Sequence, residues 1–369
     1  MKIRQIHKRI INIKRFQEIA TIFAKYGFTD LLETLQVDRI LGLARKVGLV
    51  SKEFALLPRA ERLKLAAEEL GPTFIKLGQI LSTRDDILPT EYLEELHQLQ
   101  DHVTPVSRDT IKSVICSELK IDELEETFSQ FDSIPLATAS IAQVHKAELR
   151  ATGEKVIVKV QRPKIRMMIE QDLDVLSYVV SLLQDHFGDP NDPANWRDFL
   201  EEFIRNILRE LDFGRELRMM IRFHAMFEDN EKIRIPGVYP ECSTGKVLVQ
   251  EYIGGKKIDG SKALDAYGVD SCEVGERLIR SFFHQVFKEG VFHADPHPGN
   301  LRILPDGAIV FLDFGMVGQL DSGNMMHLCR IFWGAGRGDY PLVARSLNKL
   351  CRGTILGVSD AMVMEIRDL

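Results

Sequence analysis

The stretch that most constrains the fold runs from His293 to Gly315. It reads His293-Ala294-Asp295-Pro296-His297-Pro298-Gly299-Asn300 and, after a short connection, closes on Asp313-Phe314-Gly315. Residues 303–312 predict a β-hairpin turning about Pro305-Asp306-Gly307. A hairpin returns the chain to the edge it left, so Asp313 comes back beside the loop that carries Asp295 and Asn300. Two carboxylates and an amide are thereby gathered at one place.

That order resembles the protein-kinase catalytic loop H-R-D-L-x-x-x-N, with D-F-G after a short hairpin. Phosphoryl transfer needs little covalent help, but it needs Mg2+ on the phosphates and a carboxylate near the attacking oxygen. In this reading Asn300 and Asp313 hold metal, and Asp295 orients or deprotonates the nucleophile. A lone D-F-G is a weak signal; the loop, hairpin and D-F-G in register are a strong one. His293-x-Asp295-x-His297 also reads as a metal cluster. The kinase pattern accounts for more residues, and it leaves both histidines bracing the loop through backbone hydrogen bonds.

Upstream, residues 144–149 and 155–161 alternate about Thr152-Gly153, which predicts a hairpin. Its second strand carries Val156-Ile157-Val158-Lys159, where a kinase has V-A-I-K. Before it stand Ala137, Thr138, Ala139, Ser140, Ile141, Ala142, Gln143 and Val144. Against G-x-G-x-x-G-x-V, every glycine is alanine and the valine is kept. Alanine adds a methyl where backbone approaches phosphate and resists positive φ, so nucleotide handling is expected to differ from an ordinary kinase. Val249-Gln250-Glu251-Tyr252-Ile253 fits an edge strand and hinge that bind adenine through backbone groups. A helix expected from Trp196 to about Phe227 supplies Glu210, Asp212 and Glu216 as partners for Lys159. Asp212 and Glu216 would share a face while Glu210 points elsewhere, so two basic partners are implied.

Leu70-Gly71-Pro72-Thr73-Phe74-Ile75-Lys76-Leu77-Gly78-Gln79, continuing to Arg84, resembles the K-x-G-Q motif of the UbiB (aarF-domain) family. So do the alanine-rich loop, the E-x-D at Glu210-Leu211-Asp212, the His293–Asn300 loop and the D-F-G. Five motifs in the family's order cover roughly the last four-fifths of the chain. The resemblance implies an α+β, protein-kinase-like two-lobed fold with an N-terminal helical extension and a C-lobe that reads as incomplete. The divisions expected are basic amphipathic helices over 1–57, the K-x-G-Q extension over 58–130, a five-stranded N-lobe with a helical insert over 131–254, and the C-lobe over 255–369. It further implies that the K-x-G-Q helix covers the place where a protein kinase takes its peptide. Lys76 and Gln79 would then lie beside the nucleotide, Lys76 pairing with Glu210 and Lys159 with Glu216.

The activity implied is that of an atypical kinase or ATPase using ATP and Mg2+ in the biosynthesis of ubiquinone or related prenyl quinones. Implied partners are a prenyl-quinone precursor or lipid, an anionic membrane surface and other quinone-biosynthesis proteins. The implied place is peripheral, on the cytoplasmic face of a membrane such as the bacterial inner membrane, or in an organelle. Only Met316 to Asp321 separates the D-F-G from the next helical pattern, and no A-P-E follows, so no activation loop is expected. Two rivals stand beside this reading. One is a non-catalytic nucleotide-binding scaffold or lipid-handling module; the other is a metal-dependent hydrolase using His293 and His297. Intact Lys159, Asp295, Asn300 and Asp313 favour catalysis.

Composition narrows the classes further. A formal net charge of −6 argues against binding nucleic acid through overall charge. The five cysteines are scattered without a C-x-x-C pair, so neither a disulfide framework nor a zinc knuckle is signalled. No apolar run reaches the roughly 18 to 20 residues needed to span a bilayer. Lys14 and Arg15 interrupt the only apolar stretch near the start, which excludes a secretory signal. Residues 2–15 hold six Lys or Arg and no acid, while Ile3, Ile6, Ile10, Ile13, Ile19 and Phe23 form one helical face. Such a helix either lies on an anionic membrane or docks on its own domain. Further helices are expected over 58–70, over 73–81 and from Pro89. Family members usually continue past the equivalent of Leu369, many with a hydrophobic anchor, so any such anchor lies outside these residues.

Overall fold

The computed structural model describes residues 2–34, 54, 56–99, 104–187, 196–258, 264–351 and 359–368, with side chains left aside at 2–12, 185–187 and 360. The polar linker expected at Gly188–Pro193 and the side chains of Ile3, Ile6 and Ile10 fall outside this description. The chain divides into one unit of Met1–Asp212 with Thr244–Leu248, and another of Phe213–Ser243 with Val249–Leu369.

The first unit opens with α1 (Lys2–Lys25), α2 (Thr29–Thr34), α3 (Arg59–Leu70), α4 (Pro72–Leu81), α5 (Thr90–Leu96) and α6 (Arg108–Leu119). Gly71, at φ 98°, ends α3, and Pro72 starts α4. Glycine takes the left-handed stop, and proline fits the first helical position, where its missing N–H costs nothing. Strands β1 (Phe128–Phe131), β2 (Ala137–Thr138), β3 (Ala142–Leu149) and β4 (Lys155–Gln161) follow, then α7 (Ile165–Phe187) and α8 (Trp196–Glu210). Val247–Glu251, whose first two residues belong to this unit, follows β4 in a five-stranded sheet of order β1, β3, β4, Val247–Glu251, with β2 on β3.

The K-x-G-Q helix α4 is held on two sides. Phe74 and Ile75 enter a cluster with Phe16 and Ile19 of α1, Ala66 and Leu70 of α3, and Val175 of α7. Leu77 and Ile80 pack against Ile169, Leu173, Phe203 and Ile207 of α7 and α8. An apolar cavity of about 150 Å³ borders Leu77 and Gly78. From Phe16 onward α1 is a docked helix. Phe16, Ile19 and Ile22 are buried in this core, whereas Ile13 is 48% exposed.

The single helix expected from Trp196 to about Phe227 is two helices. Helix α8 ends at Glu210, and α9 (Phe213–Met226) begins after a break at Leu211-Asp212. Aspartate favours the position just ahead of a helix, where its carboxylate meets unpaired amides. Leu211, buried with 2% exposure, anchors the break to the core beneath. The face-sharing argument for Asp212 and Glu216 therefore does not apply.

The second unit contains α9, β5 (Ile233–Arg234), the rest of the Val247–Glu251 strand as β6, β7 (Lys256–Lys257), α10 (Ser271–Phe283) and a π-helical turn at His284–Glu289. Then come β8 (Val291–His293), β9 (Leu301–Ile303), β10 (Ile309–Phe311), β11 (Val317–Gln319) and helices α11 (Ser322–Arg337), α12 (Tyr340–Leu350) and α13 (Asp360–Asp368). The hairpin expected over 303–312 is β9–β10, with Gly307 at φ 76° in its turn. It lies in a four-stranded sheet of order β5, β10, β9, β7. Among the described residues no helix is long and apolar enough to cross a membrane.

Candidate functional site

In the second unit, β8 and β11 pair antiparallel with His293 opposite Val317, which lays the D-F-G segment along the loop. Ala294 donates its N–H to Met316 O at 3.0 Å, and Leu312 donates to Asn300 O at 3.0 Å. His293, 1% exposed, joins both halves: its Nε2 bonds the Asp313 carbonyl, and its Nδ1 accepts from the Asp295 N–H at 3.2 Å. That pattern requires the neutral tautomer with hydrogen on Nε2, and burial pushes the imidazole below its usual value against the pull of Asp313. With both nitrogens engaged, His293 has no lone pair for a metal, as the hydrolase reading would need. His297 accepts the Gly299 N–H at 3.0 Å and caps the turn that delivers Asn300.

Asn300 donates Nδ2 to Asp295 Oδ2 at 3.0 Å and to Asp295 O at 3.2 Å. Asp313 Oδ1 accepts the Gly315 N–H at 2.8 Å. The structure thus brings Asp295 and Asn300 into direct contact and ties Asp313 to them through His293. Phe314 is buried against Phe223, with ring centroids 4.8 Å apart, so the D-F-G is packed on the helix that carries buried Glu216. Glu251, by contrast, is already engaged: its N–H donates to Gly237 O at 2.7 Å and its carboxylate accepts the Gly237 N–H at 3.1 Å. Tyr252 and Ile253 follow the strand end, with Ile253 packed against Leu304 and Val310.

In the first unit the register puts Ala137 opposite Val144, and Val144 opposite Lys159. Directly opposed residues share a face of the sheet, so these three form one row across β2, β3 and β4. The alternate residues Val156, Val158 and Val160 are fully buried on the other face. Thr138 lies next to Ala137, and the tip closes where Ala139 donates N–H to Ala142 O at 2.9 Å, with Ser140 and Ala142 buried. The only described non-glycine residues at positive φ are Lys120 and Lys164, so this tip keeps negative φ throughout. Alanine suits it without backbone strain. Arg162 pins the tip, donating Nε to Ala139 O at 3.0 Å. Lys159 belongs to the first unit and Glu216 to the second.

The pairing expected for Lys76 is present within one unit: Nζ lies 2.7 Å from Glu210 Oε1, the two side chains 25% and 13% exposed. Asp212 follows in the break after α8. Gln79 donates Nε2 to Leu99 O at 3.2 Å, so its amide braces the extension. Gly78 is needed for close approach, because a Cβ there would run into Leu99 Cδ1 and come within 3.3 Å of Leu96 Cδ2. Leu99 is 4% exposed and cannot swing away freely. Gly78→Ala should therefore lose about 1 kcal/mol, overpacking of about 1–3 kcal/mol exceeding the helix-propensity gain of about 1 kcal/mol. A urea midpoint equal to or above wild type would contradict this.

Sequence reasoning missed Gln285. It sits in the π-helical turn, is 1% exposed, and accepts the His293 N–H on Oε1 at 2.9 Å. Such bulges recur at functional sites because they rotate one side chain out of the α-helical series. The available signal was one amide in the apolar run Phe282-Phe283-His284-Gln285-Val286-Phe287.

The description of the ABC1 atypical kinase-like domain matches residues 98–347. A Clostridium pasteurianum protein, named an uncharacterized protein in the hydrogenase 1 5'region, is 39% identical over 86% of this chain and 56% of its own length. A probable protein kinase UbiB of Vibrio vulnificus is 36% identical over 90% of this chain and 62% of its own. The Arabidopsis thaliana chloroplastic protein ACTIVITY OF BC1 COMPLEX KINASE 8 is 38% identical over 82% of this chain and 39% of its own. The chain thus spans less than two thirds of the length of these relatives. Among solved structures, the Mycobacterium tuberculosis Rv3197–erythromycin complex matches with TM-score 0.54 and 28% identity, covering 79% of this chain and 72% of that one. The motifs, the mixed kinase-like fold and these matches agree: the chain belongs to the ABC1 atypical kinase-like family.

Proposed function

We propose that this chain is an atypical kinase or ATPase that uses MgATP in support of ubiquinone or related prenyl-quinone biosynthesis at a membrane surface. The observation that carries the reading is the Asp295–Asn300 contact tied to Asp313 through neutral His293. Relatives named as probable protein kinases support the assignment to phosphoryl chemistry. An amide oxygen on Asn300 and a carboxylate on Asp313 are hard oxygen donors of the kind Mg2+ takes alongside phosphate and water. With Nδ2 of Asn300 spent on Asp295, its Oδ1 is the atom left to face a cation. When bound, Mg2+ neutralises phosphate charge. Asp295, oriented by that amide, accepts the proton of the attacking hydroxyl or water. Lys159 would meet phosphate from the strand row that also holds Ala137 and Val144.

The rival reading, a nucleotide-gated scaffold or lipid-handling module without transfer, draws on the alanine tip, which replaces the glycines of an ordinary kinase. Asp295→Asn separates the two. As general base Asp295 is worth about 100-fold or more in rate, so phosphate release should fall by that factor. A strain lacking the gene should recover its quinone profile with wild type and not with Asp295→Asn. Full hydrolysis and full complementation by Asp295→Asn would favour the scaffold.

A further inference from the structure

The corner between α3 and α4 has little to hold it locally. Gly71 has no atom near its Cβ position, and α4 has no side-chain cap of its own. The last carbonyls of α3 need partners, whereas the Phe74 and Ile75 amides in the first turn of α4 both donate to Gly71 O at 3.0 Å. The remaining ties at the corner come from two distant helices. Arg15, on α1, donates Nη2 to Leu70 O at 2.8 Å, at the end of α3. Its Nε donates to Asp172 Oδ1 at 2.6 Å. Asp172, on α7, accepts the Thr73 hydroxyl on Oδ2 at 2.5 Å, in the first turn of α4.

A cation at one helix C-terminus and a carboxylate at the next N-terminus both complement the helix dipoles. The site is shut off from water: Asp172 and Thr73 are 0% exposed, and the Arg15 side chain 12%. Both oxygens of Asp172 are occupied, so one carboxylate joins α1, α4 and α7. Arg15 is also 2.9 Å from Glu18, which keeps its guanidinium turned toward the corner. Burial pushes the Asp172 carboxyl up, while Arg15 and Thr73 pull it back down.

Thr73 and Lys76 are three residues apart on α4, hence one turn apart on neighbouring faces. Fixing Thr73 fixes the height and rotation of a ten-residue helix, and so the place where Lys76 Nζ meets Glu210. We propose that Arg15 and Asp172 are positioning residues for Lys76, locking the K-x-G-Q helix at the corner where it begins. The consequence for catalysis rests on the reading that Lys76 belongs to an ATP-handling site. The placement of Lys76 itself does not.

The test uses the full chain and needs no nucleotide. Lys76 is acylated with trace acetic anhydride and its labelling rate is followed by mass spectrometry in wild type, Asp172→Asn, Arg15→Met and Glu210→Gln. Lys25→Met serves as control, because it breaks another ion pair between α1 and α3, with Glu69, that uses neither Arg15, Asp172 nor Thr73. An ammonium released from its carboxylate labels faster, about fivefold for an interaction of about 1 kcal/mol. Asp172→Asn and Arg15→Met should approach the Glu210→Gln rate, with Lys25→Met at the wild-type rate. Where Asp172→Asn does not fold, Thr73→Val removes the hydroxyl alone and carries the same expectation. Wild-type labelling of Lys76 in a folded corner variant overturns the proposal, and so does equal acceleration by Lys25→Met. ATP hydrolysis is then measured separately, with kcat expected to fall and KM for ATP to hold in Asp172→Asn. Raised labelling with unchanged kcat, or no hydrolysis by wild type, would place the error in the role given to Lys76 and leave its positioning standing.

Discussion

Saturating MgATP is expected to stabilise the protein strongly, and Asp313→Asn to remove that gain. A ligand selective for the native state at a hundred times its Kd adds about 2.7 kcal/mol. At roughly 2–4 °C per kcal/mol for domains of this size, melting should rise by roughly 5–10 °C. Asp313 is held at its carbonyl by His293 and at Oδ1 by the Gly315 amide. Its side chain is thus fixed before any ligand arrives. Replacing the carboxylate by an amide keeps size and removes the charge that a divalent cation requires. ATP with EDTA should give a smaller shift than MgATP in wild type, and the two should coincide in Asp313→Asn. Melting curves that ignore millimolar MgATP in well-folded wild type would count heavily against the proposed function.

What the sequence made legible was mostly local. His293, Asp295, Asn300 and Asp313 lie within 21 residues, and the intervening hairpin is written in Asp306-Gly307, so their meeting follows from short-range pattern. The 142–161 hairpin was legible for the same reason, with alternation on both strands and Gly153 at φ 73° between them. Lys76 meeting Glu210 came from family resemblance, since nothing in the spacing of the two residues encodes it. The Arg15–Asp172 bond spans 157 positions, and the Thr73–Asp172 bond spans 99. A buried polar partner that far away leaves no periodic trace. The break at Asp212 was hidden because apolar residues keep helical spacing on both sides of it. The alanines at 137, 139 and 142 were legible as replacements for glycine, but the negative φ of the tip's backbone was not, because composition alone does not fix backbone angles.

Acidification should destabilise the protein well above the range in which carboxylates titrate. His145 and His293 are 0% and 1% exposed, and burial pushes both imidazoles below their ordinary value. Each is fully committed to neutral hydrogen bonding, His145 between Asp132 O at 2.8 Å and the Gln143 amide at 3.0 Å. The unfolded chain takes up these protons near an ordinary pKa of about 6.5, whereas the folded chain resists until lower pH. Below about 6.5 the unfolded state therefore binds more protons, and stability falls as pH falls. Each histidine contributes up to about 1.4 kcal/mol per pH unit, so the pair gives up to about 2.7 kcal/mol per unit. Asp172 works in the opposite sense: its raised carboxyl makes the folded state take a proton first, which offsets part of the loss as pH nears the carboxylate range. Urea midpoints between about pH 7.5 and about pH 5.5 isolate the histidines. Wild type should hold its stability down to about pH 6.5 and lose it below that. The double variant His145→Asn with His293→Asn, though weaker at neutral pH, should be nearly flat. A level wild-type midpoint, or an equal acid loss in the double variant, would mean that these two rings are not the groups held neutral by the fold.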